Sequence, residues 1–203
     1  MEYITSSDFH FKDTAVALGK FEGIHRGHQL LMDEVKKQEL HGLRSVVFTF
    51  DRPTRLTLTG DTEYKQIYTK KERREILEKR GIDILIEHPF TKEFAALTPD
   101  RFIREVLVEK VGAKVIVVGT DFHFGKNRSG SITDLEKLEE ECGYHLIVVE
   151  KLQLNGKDIS STRIRASLEK GAMEEAKALL GRNYSVSGEI LHGNALGRTI
   201  QVP

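Results

Sequence analysis

The sequence predicts an α/β protein built on a doubly wound parallel sheet. Short β-branched or aromatic segments alternate along the chain with segments in which apolar residues recur at helical spacing. One short segment, 114–119, is almost continuously apolar, which is typical of a strand buried on both faces of a sheet. Helices then cover both faces, and ligands bind at the carboxyl ends of the strands.

The same patterns predict the individual elements. Strands are expected at 14–18, 45–50, 82–86, 114–119 and 144–149, with a further strand at 184–190. Helices are expected from about Gly27 to Leu40, at 69–80, at 99–111, from a candidate capping box at 133–136 to Cys142, after Ser160 or Ser161, and at 173–180. The polar segment 54–68 is long for a loop, and we expect it to be a substrate lid.

Composition and charge limit the classes of protein to consider. The 203 residues suffice for one α/β domain with a small appendage. Lys and Arg together number 31, as do Asp and Glu, so no overall basic field favours nucleic acid or an anionic membrane as a partner. The single cysteine, Cys142, predicts a reducing cytoplasm. A secretion signal and an apolar run long enough for a membrane helix are both missing, so we expect a soluble cytoplasmic protein.

The segment Gly19–His28 joins the first predicted strand to a helix and contains three glycines and two histidines. Glycines permit positive φ angles and close approach of a ligand, and a helix N-terminus attracts anions. His25 and His28 can donate hydrogen bonds to the same phosphate oxygens. The segment therefore predicts a triphosphate site for nucleotidyl transfer. Two solvated or core histidines in a glycine-rich loop are the alternative.

Two further segments could contribute to this site. The loop 121–128 follows the fourth predicted strand and can reach the same crevice, although its glycines lack the spacing of a P-loop. The segment 159–168 starts with hydroxyl residues, and Ser160 or Ser161 can simply be a helix N-cap. Alternatively its hydroxyls, its free N–H groups and Arg165 form a second anion clamp.

Four motifs, taken in this order, carry a resemblance to a known family: Gly19–His28, Phe48-Thr49-Phe50, Val118–Arg128 and Ile159–Arg165. Together they resemble the adenylyltransferase module of the bacterial bifunctional riboflavin kinase/FMN adenylyltransferase (FAD synthetase) family. The resemblance covers essentially the whole chain. It implies a Rossmann-like fold of the HxGH nucleotidyltransferase type at 1–182, followed by the start of a β-rich, riboflavin-kinase-like module at 183–203.

The resemblance also implies a reaction, in which FMN attacks ATP with Mg²⁺ and yields FAD and pyrophosphate. It leaves the metal ligands and the oligomeric state open. The residues implied are, for catalysis, His25, His28 and Arg165; for the nucleotide, Gly19, Phe21, Gly23, Gly27, Asp121, Ser161 and Thr162; and for the flavin, Phe50, Phe122, Phe124 and Arg128.

The chain departs from the pattern of the family it resembles at several positions. Glu22 stands where the family usually has Asp, Lys20 stands where it has Asn, and 51–54 replaces a Pro-His-Pro segment. The signature of the kinase module begins at 197–200 but is not completed, so we expect no riboflavin kinase activity from this chain, whether it is a fragment or a single-activity relative. A nucleotidyltransferase with another phosphate acceptor and a non-catalytic flavin- or nucleotide-sensing relative are the competing hypotheses.

Overall fold

Six parallel strands form the central sheet of the computed structural model, which describes residues 1–52 and 65–189. The strands are β1 (Glu2–Ile4), β2 (Thr14–Leu18), β3 (Arg44–Phe50), β4 (Ile84–His88), β5 (Ala113–Gly119) and β6 (His145–Val149), in the order β1-β4-β3-β2-β5-β6. A two-stranded antiparallel hairpin follows, made of β7 (Gln153–Leu154) and β8 (Lys157–Asp158). The predicted parallel sheet is confirmed.

Seven helices flank or follow the sheet in the described part of the chain. They are α1 (Arg26–Lys37), which ends in a 3-10 turn at Gln38–His41, α2 (Lys70–Lys79), α3 (Lys92–Ala95), α4 (Pro99–Arg101), α5 (Ile132–Cys142), α6 (Ser161–Glu169) and α7 (Met173–Leu180). α4 continues directly as a π-helix at Phe102–Lys110. Each of the predicted helices is therefore present, although the one expected at 99–111 is α-helical only in its first turn.

Both faces of the sheet are buried, and alternate residues of β2 divide between them. Val16 and Leu18 belong to the hydrophobic cluster that contains the π-helix and α5, whereas Ala15 and Ala17 belong to the cluster that contains α1 and α2. All five residues of β2 are buried. The doubly wound arrangement predicted from the apolar runs is thus confirmed, because a strand with side chains in two cores needs apolar residues at every position.

The strand predicted at 82–86 is β4, and it lies two residues further along the chain, at 84–88. At its start, Asp83 uses its carboxylate to accept hydrogen bonds from the N–H and the hydroxyl of Ser45, so it does not continue the strand. At its end, Glu87 and His88 pair with β3 although both are polar. The Glu87 carboxylate is tolerated there because it accepts from Arg73 and from the Tyr3 hydroxyl.

Two other sequence predictions are wrong in detail. The capping box of α5 is formed by Ser131 and Asp134, and not by 133–136: the N–H and hydroxyl of Ser131 both donate to Asp134. The strand expected at 184–190 is not formed at 184–189, since the N–H of Ser187 donates to the Glu72 side chain and not to a neighbouring strand. Strand β1 and the β7–β8 hairpin were not expected, because they are too short to show a period.

Two predictions lie wholly or mostly outside the described residues. The lid expected at 54–68 overlaps them only at 65–68, and of the module expected at 183–203 only 183–189 is described. Both stay predictions.

The order of the strands places β2 between β3 and β5. The chain passes from β2 to β3 and β4 on one side, and then crosses to β5 and β6 on the other. Ligands of doubly wound sheets bind at the carboxyl ends of the strands where the direction of winding reverses. The segments after β2 and β5, which carry the candidate site residues, lie at this point.

Candidate active site

The turn Gly19–His28 leaves the carboxyl end of β2 and enters α1 at Arg26. Its positive φ angles belong to Phe21 (46°) and Ile24 (42°), and not to its glycines as the sequence had suggested. Bulky residues adopt this conformation at a cost in strain, and such residues concentrate at functional sites. Both side chains are fully buried, so packing holds the turn in shape.

The glycines of the turn are needed for space. A Cβ atom on Gly19 would lie 3.1 Å from the Phe21 ring, and one on Gly27 would lie 3.3 Å from Nδ1 of His25. A Cβ atom on Gly23 would lie 3.1 Å from Ile67. The three glycines therefore let rings and neighbouring side chains pack directly against the backbone.

His25 and His28 form a stacked pair at the start of α1. Their ring centroids are 3.6 Å apart with an interplanar angle of 15°. His25 is the N-cap residue of α1, and its Nδ1 accepts a hydrogen bond from the N–H of His28 at 3.3 Å. The ring of His28 also contacts Phe21, edge to face, at 5.0 Å between centroids. The two histidines thus lie together at the turn, and their donation to phosphate oxygens stays a prediction.

Both imidazoles are neutral at physiological pH. Burial lowers the pKa of His25 to about 4, and the positive charge of Arg182 acts in the same direction. Burial, and then the neighbouring His25, hold the pKa of His28 well below its ordinary value. Because Nδ1 of His25 is an acceptor, the proton of its neutral ring belongs on Nε2, which can donate to an oxygen of a ligand.

The start of α6 lies against the same turn. A Cβ atom on Gly23 would be 3.4 Å from Ile164 and 3.7 Å from the hydroxyl oxygen of Ser161. The guanidinium of Arg165 donates to both carboxylate oxygens of Glu22, at 2.8 and 2.9 Å. Two segments 143 residues apart in the sequence are thus joined by an ion pair whose side chains are only 20% and 12% exposed.

The hydroxyl residues before Arg165, which are Ser160, Ser161 and Thr162, differ in their positions relative to α6. Ser160 is the N-cap of α6, since its hydroxyl oxygen accepts the N–H of Arg163. Ser161 and Thr162 occupy the first two positions of the helix, where N–H groups have no partner within the helix. The structure thus identifies Ser160 as the N-cap, and the anion clamp expected from Ser161, Thr162 and Arg165 stays a prediction.

Aromatic rings line the neighbouring part of the carboxyl edge. Phe50, at the end of β3, lies 4.7 Å from Phe90 between ring centroids. Phe122, in the loop after β5, stacks on Phe124 at 5.5 Å, and Phe124 in turn contacts Phe102 at 5.4 Å. Phe124 is only 7% exposed and belongs to the core cluster, whereas Phe50 and Phe122 are partly buried. Among the three aromatic residues predicted to contact the flavin, Phe50 and Phe122 present more surface than Phe124.

The loop after β5 also carries charged site candidates. Asp121 pairs with Lys151 at 3.1 Å, which connects this loop to the segment before β7. Asn127 and Arg128 both have positive φ angles, 55° and 59°. Burial lowers the pKa of Lys20, and the charge of Arg128 lowers it further, so the cationic groups of the turn and of the loop lie near each other.

The sequence did not assign two side-chain networks beside the site. Arg182, just after α7, donates to the carbonyl oxygens of Gly23 and Ile24 at 2.9 and 2.8 Å. Arg73 joins the buried Glu87 and also reaches the carbonyl oxygen of Phe50 at 3.4 Å. No periodic pattern marks such contacts, since each joins a side chain to backbone far away in the sequence.

Fold and site together define an α/β nucleotidyltransferase fold with the HxGH turn at the carboxyl end of β2. A family model described as FAD synthetase matches residues 8–163, and the chain belongs to this family. No helix in the described part of the chain is long and apolar enough to cross a membrane.

Curated relatives include proteins named bifunctional riboflavin kinase/FMN adenylyltransferase. Those of Buchnera aphidicola subsp. Schizaphis graminum, Listeria monocytogenes and Escherichia coli K12 are 32%, 33% and 33% identical over 94%, 98% and 93% of this chain. The aligned part corresponds to 62%, 64% and 60% of those proteins. The chain thus spans about three fifths of the length of these relatives.

Two solved structures share the fold. A Streptococcus pneumoniae structure described as a macrolide-efflux protein has a TM-score of 0.88 and 32% identity, covering 99% of this chain and 66% of its own. Pantoate-beta-alanine ligase from Francisella tularensis has a TM-score of 0.51 and 14% identity, covering 98% of this chain and 85% of its own. The second likeness supports the fold alone.

Proposed function

We propose that the chain is an FMN adenylyltransferase, which makes FAD and pyrophosphate from FMN and ATP. The observation that carries this proposal is the meeting of the histidine turn with the start of α6, where Glu22 and Arg165 are paired and Ser161 lies beside Gly23. Two helix N-termini and two neutral imidazoles then surround one place for a triphosphate. Membership in the FAD synthetase family supports FMN as the acceptor.

The reaction needs no nucleophile from the protein. A phosphate oxygen of FMN attacks the α-phosphorus of ATP, a new P–O bond forms, and the bond from this phosphorus to the bridging oxygen breaks as pyrophosphate leaves with the electron pair. The protein contributes by positioning the two substrates and by stabilising charge on the phosphates. His25, through Nε2–H, and His28 are the donors nearest the start of α1.

Arg165 contributes a positive charge for the phosphates in this scheme. Its guanidinium is held by the Glu22 carboxylate, in a position close to the turn. The phosphates of ATP compete with Glu22 for the same donors, and the hydroxyls of Ser161 and Thr162 add further hydrogen bonds. The Glu22 side chain would thereby keep Arg165 in place before ATP binds.

The acceptor side lies at the ends of β3 and β5. Phe50 and Phe122 offer ring surface to the flavin, and Phe124 supports Phe122 from within the core. Arg128 and Lys20, whose charges influence each other, are cations that suit the phosphate of FMN. Asp121 is tied to Lys151 and orients the loop.

Mg²⁺ fits this site as a companion of ATP. Within the described residues no group of three or more His, Cys, Asp or Glu side chains could hold a metal ion. Mg²⁺ commonly relies on substrate phosphates and water, with one or two carboxylates from the protein. Bound in this way, it would neutralise negative charge on the phosphates.

The substrates and the single cysteine, Cys142, support a cytoplasmic location.

The direct test is to incubate the purified chain with FMN, ATP and Mg²⁺ and to measure FAD and pyrophosphate by chromatography. Parallel reactions with pantetheine phosphate, nicotinamide mononucleotide and cytidylyl acceptors test the choice of acceptor. Pyrophosphate release with one of these but not with FMN would overturn the flavin assignment. Calorimetry run beside turnover covers the sensor hypothesis, which predicts tight binding of ATP and FMN with no FAD formed.

A variant of the turn tests the role of the imidazoles. We expect His28→Ala to lower turnover by on the order of 10²-fold, the scale for loss of one donor to developing charge. His41→Ala is the control, because His41 is exposed at the end of the 3-10 turn after α1. An unchanged rate for His28→Ala would contradict the assignment.

A further inference from the structure

Arg182 makes an unusual set of contacts just after the end of α7. Its two terminal nitrogens donate to the carbonyl oxygens of Gly23 at 2.9 Å and of Ile24 at 2.8 Å, and also to that of Leu180 at 3.3 Å. Gln29 of α1 donates to two of the same acceptors, Ile24 at 2.9 Å and Leu180 at 2.7 Å. The turn before α1 and the end of α7 are therefore joined through shared carbonyl groups.

The carbonyl groups in question belong to the strained part of the turn. Ile24 has a φ of 42°, which is unfavourable for a β-branched residue, and both Gly23 and Ile24 are buried. A buried carbonyl oxygen without a donor costs free energy, and here two successive ones are satisfied by one planar guanidinium. Arg182 thus stabilises the backbone conformation that immediately precedes His25.

The charge of Arg182 is not neutralised by a carboxylate in the described part of the chain. Its guanidinium instead lies over the Tyr68 ring, 5.1 Å from the centroid. Its positive charge reaches His25, whose pKa it lowers in addition to burial. The residue is therefore electrostatically coupled to His25, in addition to its hydrogen bonds to the carbonyl groups of the turn.

We propose that Arg182 is a positioning residue of the active site: by binding the carbonyl groups of Gly23 and Ile24 it sets the direction in which His25 and the first turn of α1 face the phosphates. The assignment rests on the proposed function for its catalytic consequence. Arg182 lies outside residues 8–163, the part matched by the family model. The segment after α7 is thereby part of the adenylyltransferase site.

The experiment compares Arg182→Lys and Arg182→Gln with the matched control Arg163→Gln in the full chain. Arg163 also donates to two backbone carbonyl groups, those of Leu154 at 3.0 Å and Lys157 at 3.2 Å, but these lie at the β7–β8 hairpin. Both sites lose hydrogen bonds to carbonyl groups when substituted, and Arg163 also loses its ion pair with Glu175, while only Arg182 donates to the turn. Melting temperatures are measured first, and assays are run where all variants are folded.

We expect both Arg182 variants to lower kcat about 10-fold or more with a smaller change in KM for ATP, since a small misplacement of a donor acts mainly on the transition state. Arg163→Gln should keep kcat within 2-fold of wild type. The proposal is overturned if Arg182→Gln keeps kcat within 2-fold, or if Arg163→Gln lowers kcat as much.

A second readout separates this proposal from the proposed function. NMR titration of the His25 ring, assigned with His25→Asn, should show a higher pKa in Arg182→Gln than in wild type, because a positive charge has been removed. An unchanged His25 titration overturns the positioning role even if FAD is made. Absence of FAD formation by the wild-type chain would overturn the proposed function, and the titration would still decide the role of Arg182.

Discussion

The two histidines of the turn should make the stability of the fold depend on pH. Burial lowers the pKa of His25 from 6.5 to about 4. As the pH falls below 6.5, the unfolded chain takes up a proton at His25 while the folded chain does not, until the pH approaches 4. The unfolded state thus binds more protons in this window. The free energy of unfolding should therefore decrease from pH 7 towards pH 4, and the full stabilisation should be present above the ordinary pKa.

The size of the effect follows from the difference between the two pKa values. At pH 5 the unfolded chain has passed its His25 pKa by about 1.5 units, and each unit corresponds to about 1.36 kcal/mol. His25 alone should make the protein about 2 kcal/mol less stable at pH 5 than at pH 8. His28 acts in the same direction, since its pKa is also lowered by burial and by His25.

Urea unfolding at pH 5 and pH 8 measures this difference in wild type and in His25→Asn. Asparagine keeps an oxygen that can accept the N–H of His28, as a good N-cap residue does, but it does not titrate. The variant should lose about 2 kcal/mol of the difference between the two pH values, while the control His41→Gln should keep it. A His25 titration midpoint between pH 6 and 7, seen by NMR in the folded protein, would refute the reasoning.

Two further predictions concern the sheet and its connections. Glu87→Gln should destabilise the fold by about 3 kcal/mol in urea unfolding, because Glu87 is fully buried and its loss leaves the Arg73 guanidinium without its carboxylate. Tyr3→Phe removes only one hydrogen bond to Glu87 and should cost about 1 kcal/mol. Equal effects of the two substitutions would contradict the ion pair as the main contribution. Gly112→Ala should lower the melting temperature much more than Gly143→Ala. Both glycines have positive φ, but a Cβ atom on Gly112 would lie 2.2 Å from a backbone oxygen, whereas Gly143 faces open space. Similar shifts in melting temperature would show that the φ angle alone determines the cost of the substitution.

The sequence was sufficient for the fold because the main strands are buried on both faces. β2 and helix α7 lie at the residues predicted for them, and β5 begins one residue earlier than predicted. Segments of two or three residues, such as β1 and the hairpin, carry too few side chains to show a period. Polar residues inside β4 concealed its end, since Glu87 is tolerated only through partners from other elements.

The sequence was sufficient to predict which segments meet at the candidate site, but not their geometry. The sequence indicated that His25, His28 and Arg165 belong together, and the turn and α6 do meet. It assigned the positive φ angles to glycines, whereas Phe21 and Ile24 adopt them, because tertiary packing overrides local preference. Contacts between a side chain and distant backbone, such as those of Arg182, cannot be read from spacing.

Because β2 lies at the centre of the sheet, the residues proposed to bind ATP and those proposed to bind FMN are mostly held by different elements. Most of the proposed nucleotide contacts are held by the turn after β2 together with α6, whereas the aromatic residues proposed to contact the flavin lie at the end of β3 and in the loop after β5, beside rings of the opposite core cluster. Loops tolerate sequence change better than the elements that they connect. In such a framework, sequence change in the loop after β5 can alter the proposed acceptor preference while most of the proposed ATP contacts stay in place.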